Sequence, residues 1–290
     1  MAGKCHGQHG EPSYDGRTVL DRPADLPEFD RPPVVEVAIG VQFEAIKSFR
    51  QAHVGLFWNQ IRTDYPTTQD QPRLEMPIEA LDPGLAWPSL KIELIDSPPV
   101  HRAWFASLDE SLLVQVQDDR LIHNWRHRGG GYPRFEPLLD LFWSHVSRYE
   151  SAMTDARLSL TPIQQAEVMY SNWIAVESME QFFRPSIAAE VAIPGIGPKP
   201  DMERWAAWYP VREETELVGR LAVEAQPARR VEDGKVLAGF QLSLTFRAPV
   251  IAGATRGGIS SLLGIGRNAI VKTFAEVTTE TMHKEWGRTK

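Results

Sequence analysis

The chain has a single cysteine, Cys5, among its 290 residues. One thiol excludes an intramolecular disulfide and any zinc site built from several cysteines, and such usage fits an intracellular setting. No run of about 18 apolar residues is present that could cross a bilayer. The first thirty residues, MAGKCHGQHGEPSYDGRTVLDRPADLPEFD, hold no apolar core of a signal peptide. A cytoplasmic protein with no membrane contact is therefore expected. Basic charge is in deficit as well: 31 Lys and Arg against 38 Asp and Glu leave a formal net charge of -7. Coating nucleic-acid phosphates requires the opposite balance, so only a local basic patch could serve that end.

The motifs of common chemistries are missing too. There is no Gly-x-Ser-x-Gly elbow, no His-Glu-x-x-His pair and no phosphate-binding Gly-x-x-x-x-Gly-Lys-Ser/Thr loop. Gly264-Ile265-Gly266 lacks the third glycine and the preceding strand of a dinucleotide fingerprint. Cys5, His6 and His9 sit in a polar segment with no fixed geometry for a metal. No catalytic residue, metal or cofactor is expected.

What is present reads as a globular domain. With 42% hydrophobic and 24% charged residues, the chain can bury a substantial core. Residues 1–30 are polar and rich in Gly, Pro and Asp, and read as a flexible tail. After Pro32 and Pro33 the β-branched run Val34 to Phe43 reads as a strand. Phe49, His53, Leu56 or Phe57, Gln60 and Ile61 then recur at helical spacing, with Ser48 as N-cap and Pro66 as stop. Extended segments follow: RLEMPIEAL from Arg73, LKIELIDS from Leu90, HRAWFASLD, SLLVQVQDD and RLIHNWRHR. Tight turns at LDES and QDDR make the last three an antiparallel meander. Phe135, Leu138, Leu139, Phe142, Val146 and Tyr149 form one apolar stripe, the mark of a helix that covers a sheet.

The second half repeats this order. QQAEVMYSNWIAV is strand-like, ESMEQFFRPSI a short helix, and RWAAWYPVREE, GRLAVEAQPARRV and AGFQLSLTFRAPV are strands. A closing helix spans Asn268 to Trp286, and VAIPGIGPKP, Val191 to Pro200, reads as a surface loop. Glu36 and Glu167 both open a similar Glu-Val strand, which supports an internal duplication. The expected fold is α+β: two β-α-β(3-4)-α halves, 31–156 and 157–290, form a curved antiparallel sheet backed by long helices, with a topology like that of the TATA-binding protein.

PPVVEVAIGVQF, VQVQDDRLIHNWRHRGGGYPRFEPLLDLFW, EVMYSNWI and FAEVTTETMHKEWG together resemble a sporadically distributed family of bacterial and archaeal proteins of about 250 residues with no characterised function. The resemblance covers about Arg31 to Gly287. Its most specific part is the series Gln115, Gln117, Asn124, Trp125, Arg126, Tyr132, Pro133 and Arg134. The family often carries a His near the start of the last helix, where this chain has Asn268. The patchy distribution implies horizontal transfer, as with toxin-antitoxin and phage-defence genes.

RLIHNWRHRGGGYPRFEP, from Arg120, holds the candidate partner- or ligand-binding residues: Asn124, Trp125, Arg126, Arg128, Tyr132 and Arg134. In a strand, Leu121, His123, Trp125 and His127 share one face, while Arg120, Ile122, Asn124, Arg126 and Arg128 share the other. His123 and His127 are then about 13 Å apart, too far to share a zinc ion. Three readings compete for this segment. In the first, Trp125 anchors the core, Asn124 bonds a loop backbone and the arginines pair with acidic turns or helix ends; the protein is a non-enzymatic binding protein acting through a protein partner or homo-oligomer, as an antitoxin or accessory subunit. In the second, nucleic acid or a nucleotide binds along Arg120 to Arg128, with Trp125 stacked on a base. In the third, Glu75, Glu79, Glu93 and Asp96 converge in a metal-dependent hydrolase or nuclease.

Overall fold

A computed structural model describes residues 22–75, 78–79, 81, 101–184, 202–232 and 234–290. The segments LKIELIDS and VAIPGIGPKP and the residues Cys5, His6 and His9 lie outside the described residues.

Among the described residues nine strands form one open antiparallel sheet with helices on one face. The first strand, β1 (Val34–Phe43), occupies the span its β-branched run predicts. Next come α1 (Gln51–Ile61), β2 (Thr67–Gln71), β3 (Arg102–Ala106), β4 (Leu112–Val116), β5 (Arg120–Arg126) and α2 (Phe135–Asp155). The rest of the chain adds β6 (Ile163–Ile174), a single 3-10 turn at Met179–Gln181, β7 (Trp205–Glu213), β8 (Glu216–Glu232), β9 (Lys235–Pro249), α3 (Arg256–Val277) and α4 (Glu280–Glu285).

The order across the sheet is β2-β3-β4-β5-β1-β6-β9-β8-β7. β1 and β6 are paired antiparallel at its centre, Ile39 opposite Val168, so the two halves of the chain share one continuous sheet. α2 packs on β5 and β1, α3 packs on β6, β9 and β8, and α1 lies against α2. Val37, Ile39 and Val41 of β1, Phe142 of α2, Phe246 of β9 and Leu263 of α3 belong to a single buried cluster. Full burial of each such side chain stabilises the fold by roughly 1.5–3 kcal/mol. All six residues of the apolar stripe in α2 are buried as expected.

Several local readings need correction. α1 is not capped by Ser48: it starts after Arg50, whose backbone N–H donates to His53 Nδ1 at 2.8 Å. The histidine at the third helical position reaches back to the N-cap N–H, the role that Glu or Gln plays in a capping box. Val54, Phe57 and Ile61 face the core, while Leu56 is exposed. Among the described residues of RLEMPIEAL there is no strand; the strand is the preceding TTQDQ, which is polar because as β2 it forms the outer edge of the sheet. Among the described residues of ESMEQFFRPSI the expected helix is one 3-10 turn.

The closing helix begins at Arg256 rather than Asn268 and is interrupted at Thr278 and Thr279. Glycine disfavours helix by about 1 kcal/mol per residue, which makes RGGISSLLGIG look like a loop. Packing reverses that preference. Ile259, Leu263, Gly266, Ile270, Phe274 and Val277 keep helical spacing and are all buried. At Gly266 a Cβ would lie 2.2 Å from Phe246 Cδ1, so only glycine lets α3 approach the sheet this closely. Residues 22–30, assigned to the tail by composition, also join the core: Leu26 is fully buried, and Phe29 packs edge-on against Phe274 and Trp286.

Candidate functional site

Antiparallel pairing places opposed residues on the same face, so the register sorts every candidate. Val37, Ile39 and Val41 of β1 point to the helices with Trp125, His123 and Leu121 of β5. Glu36, Ala38, Gly40 and Gln42 point to the opposite, helix-free face with Arg126, Asn124, Ile122 and Arg120. Beyond β1 that face continues through Glu167, Met169 and Ser171 of β6 to Arg247, Thr245 and Ser243 of β9.

The helix-free face carries an ordered polar network. Asn124 is buried and donates from Nδ2 to Glu36 Oε1 at 2.7 Å, while its Oδ1 accepts from Gln115 Nε2 at 2.8 Å. Gln115 Oε1 in turn accepts from Trp104 Nε1 at 2.9 Å and Arg102 Nη1 at 3.0 Å. This chain ties four adjacent strands together, so Asn124 bonds side chains rather than a loop backbone. Buried amides are satisfied in pairs this way because each unmade bond would cost about 1–3 kcal/mol. Gln117 grips the backbone of Leu74, accepting from its N–H at 2.6 Å and donating to its carbonyl at 3.2 Å. The Glu79 N–H donates to Gln165 Oε1 at 2.6 Å, and the Glu79 carboxylate pairs with Arg220 at 3.4 Å. Leu74 is thereby pinned to the turn after β4, and Glu79 to β6 and β8.

The arginines divide by role. Arg120 is 3% exposed and forms a two-pronged pair with Asp119, with Nε and Nη2 at 2.9 and 2.8 Å from the two carboxylate oxygens. It is structural. Arg134 pairs with Glu28 at 2.7 Å from a backbone at φ 76, anchoring the N-terminal segment beside α2. Arg126 donates from Nε to the Glu110 carbonyl at 3.1 Å, and Arg128 approaches the Glu110 carboxylate at 3.5 Å. Those two contacts match the expected pairing with the acidic LDES turn.

Trp125 lies on the helix side and is 4% exposed, packed 5.3 Å from Tyr132. It cannot stack on a base beside Arg126, because the sheet separates them. Tyr132 hydrogen-bonds Tyr170, with 2.7 Å between hydroxyl oxygens, and burial holds both phenols above their ordinary range. Of the six candidates, then, Asn124, Arg126 and Arg128 share a face of the sheet, Trp125 belongs to the core, Tyr132 packs against it, and Arg134 fixes the N-terminal segment.

Sequence reasoning missed what lies opposite Arg126 and Arg128. The pairing of β8 with β9 continues to Glu232 and Lys235, but β7 pairs with β8 only up to Ala225, and β6 pairs with β9 only up to Phe240. Residues 227–232 and 234–239 therefore form a two-stranded arm paired, among the described residues, to no other strand of the sheet. Its root faces the end of β5 across a concavity of about 340 Å³. Arg126, His127 and Arg128 line one side, Ala228, Arg229 and Arg230 the other, and Glu36, Ser171, Trp173 and Gln241 the floor and rear. The Arg229-Arg230 doublet was the available signal, but only the strand order brings it beside β5.

Of the remaining sequence candidates, Glu93 and Asp96 lie outside the described residues, and the described ones are dispersed. His123 stacks against His145 of α2 inside the core, and His127 stands on the rim of the concavity. Among the described residues no group of three or more His, Cys, Asp or Glu side chains is placed to hold a metal ion, and Glu79 is engaged by Arg220. No helix among the described residues is long and apolar enough to cross a membrane. Comparison of the chain with protein-family models and with curated proteins finds no match.

Proposed function

We propose that this chain is a non-enzymatic cytoplasmic binding protein that acts through protein-protein contact, and that the arm of residues 227–239 is the element that engages the partner. The observation that carries the reading is the exposure of Val231, Val236 and Leu237 at 71, 65 and 37% on this arm. An isolated two-stranded ribbon is marginally stable in water, and apolar side chains at its tip gain nothing until something covers them. On the outermost strand, β7, Trp208 and Tyr209 are also 58 and 42% exposed, offering further aromatic contact area.

The strand order supports an ancestral duplication with a topology like that of the TATA-binding protein. β1 pairs with β5, the last strand of its own meander, β6 pairs with β9 in the same way, and the two leading strands meet antiparallel. Membership of the horizontally spread family that the Asn124 to Arg134 signature resembles would make the product of an adjacent gene the natural partner.

Co-expression with that product, followed by size-exclusion chromatography with light scattering, tests this. A complex, or a dimer of the chain itself, is expected for the native protein and not for Val231→Asp/Val236→Asp, with both proteins equally folded. Unchanged assembly in the double variant would refute the role of the arm.

A further inference from the structure

A cavity of about 60 Å³ lies on the helix side of the sheet, where the N-terminal segment crosses beside α3. Phe29 of that segment, Val34 of β1, Tyr170 of β6 and Ile270 and Phe274 of α3 line it, each no more than 8% exposed. The walls are therefore apolar and aromatic, and Arg134, with half of its side chain exposed, marks the opening. Any chain that fills such a space gains dispersion contacts that the empty walls lack.

The polar groups at this cavity include donors without acceptors. The hydroxyls of Tyr132 and Tyr170, both in the lining, are 2.7 Å apart and one donates to the other, so among the described residues the second O–H finds no acceptor. Arg22, also in the lining, gives Nη2 to the Pro27 carbonyl at 2.6 Å, but its buried Nε–H is unpaired. Arg267, one turn before Ile270 on α3, is 1% exposed and keeps Nε and Nη2 unpaired as well. Both guanidiniums bear on the phenol pair: burial raises the Tyr170 phenol, and after Tyr132 the charges of Arg267 and Arg22 oppose that rise. No carboxylate among the described residues lines the cavity. Glu28 stands nearby but is divided among Arg134 at 2.7 Å, Lys290 at 3.8 Å and the charge of Arg22, while Glu136 is taken by Arg267. Buried donors left unmade are costly, and the acceptor that suits these is an anionic oxygen.

We propose that this cavity binds a small organic carboxylate, whose oxygens take the free donors of Arg22 and the tyrosine pair and whose short apolar chain lies among Phe29, Ile270 and Phe274. The guanidinium supplies the charge-assisted hydrogen bond and the aromatic walls exclude water from it. The volume is less than half of the roughly 150 Å³ that holds benzene, so the buried chain is only a few carbons long. Because Arg22, Pro27 and Phe29 belong to the N-terminal segment, the bound acid also fastens that segment to β6 and α3.

Titration of the full chain with butyrate, followed by proton-nitrogen NMR, tests the site, with butan-1-ol as the uncharged counterpart of the same chain length. Butyrate is expected to shift the amide signals of Phe29, Tyr170 and Ile270 with a dissociation constant of about 1 mM, and butan-1-ol to bind about tenfold more weakly or less. Arg22→Gln, at a partly exposed residue ahead of the first strand, should weaken butyrate by about tenfold and leave butan-1-ol unchanged. Val271→Phe, which fills the cavity from a partly buried position, should remove both while the rest of the amide spectrum stays native. No shift with butyrate up to about 10 mM, butan-1-ol binding as tightly as butyrate, or butyrate binding undiminished in Arg22→Gln would each overturn the proposal. None of these outcomes bears on partner assembly through Val231 and Val236.

Discussion

His123 of β5 and His145 of α2 lie nearly face to face, with ring centroids 5.0 Å apart and planes inclined by 27°, and both are buried where the helix covers the sheet. Tyr65 closes one side of the pair, edge-on to His145 at 5.0 Å. Burial, then the neighbouring imidazole, holds His123 down to about 3. Burial and Arg148 hold His145 down to about 4, with Asp64 opposing.

Stability should therefore fall with acidification in a defined window. Unfolded imidazoles take up protons near pH 6.5, but the folded pair resists until about 4 and 3. Between pH 6.5 and 4 the unfolded state binds more protons, so stability drops by up to about 1.4 kcal/mol per pH unit for each histidine. Glu36, raised by burial, works in the opposite sense as its carboxylate protonates. Urea unfolding at pH 7 and pH 5 is expected to show a lower midpoint at pH 5. His123→Phe, which preserves the ring stack, should reduce that difference; an unaltered difference would show that the pair does not cause it.

The glycines of α3 should divide sharply by position. Gly266→Ala forces a methyl group against Phe246 and is expected to cost about 1–3 kcal/mol or more. Gly257→Ala, whose Cβ would meet only Thr255 Oγ1 at 3.7 Å, should be neutral or stabilise the helix by up to about 1 kcal/mol. Denaturant midpoints of the two variants, measured side by side, check this directly.

Arg267 supplies a third expectation. It is 1% exposed, pairs with Glu136 at 2.9 Å and lies 5.1 Å over the Phe135 ring. Glu136→Gln leaves that cation without its counter-charge and should destabilise the protein by about 2 kcal/mol or more. Adding Arg267→Met should recover part of the loss, because a buried apolar chain needs no partner. A double variant no more stable than Glu136→Gln alone would contradict this.

Strength and period decided what the sequence revealed. β1 and the α2 stripe were legible because ten β-branched or alternating residues and six helically spaced apolar ones admit one reading each. The start of α3 was obscured because Gly264 and Gly266 look like breakers, and only the position of Phe246 explains them. TTQDQ escaped notice because an edge strand exposed to water needs no apolar alternation. The shared face of Asn124, Arg126 and Arg128 was legible from the strand period alone. The same period sets Trp125 with His123 on the helix side, away from any ligand beside Arg126. Arg229, Arg230 and Trp173 reach the same concavity through strand pairings of long sequence separation, which no local pattern encodes.

The arm is expected to be dispensable for the fold. Val231→Thr and Val236→Thr replace side chains more than half exposed to water, so each should change the unfolding free energy by no more than about 0.5 kcal/mol. A larger loss would mean that the tip packs within the monomer.

Amide hydrogen exchange of the free protein and of its complex with the co-expressed partner bears most directly on the arm as the binding element. Residues 227–239 should exchange rapidly in the free chain, as a ribbon paired to no other described strand, and become protected in the complex while Asn124 and its network stay slow in both. Protection that appears elsewhere, with the arm exchanging equally fast in both states, would contradict it.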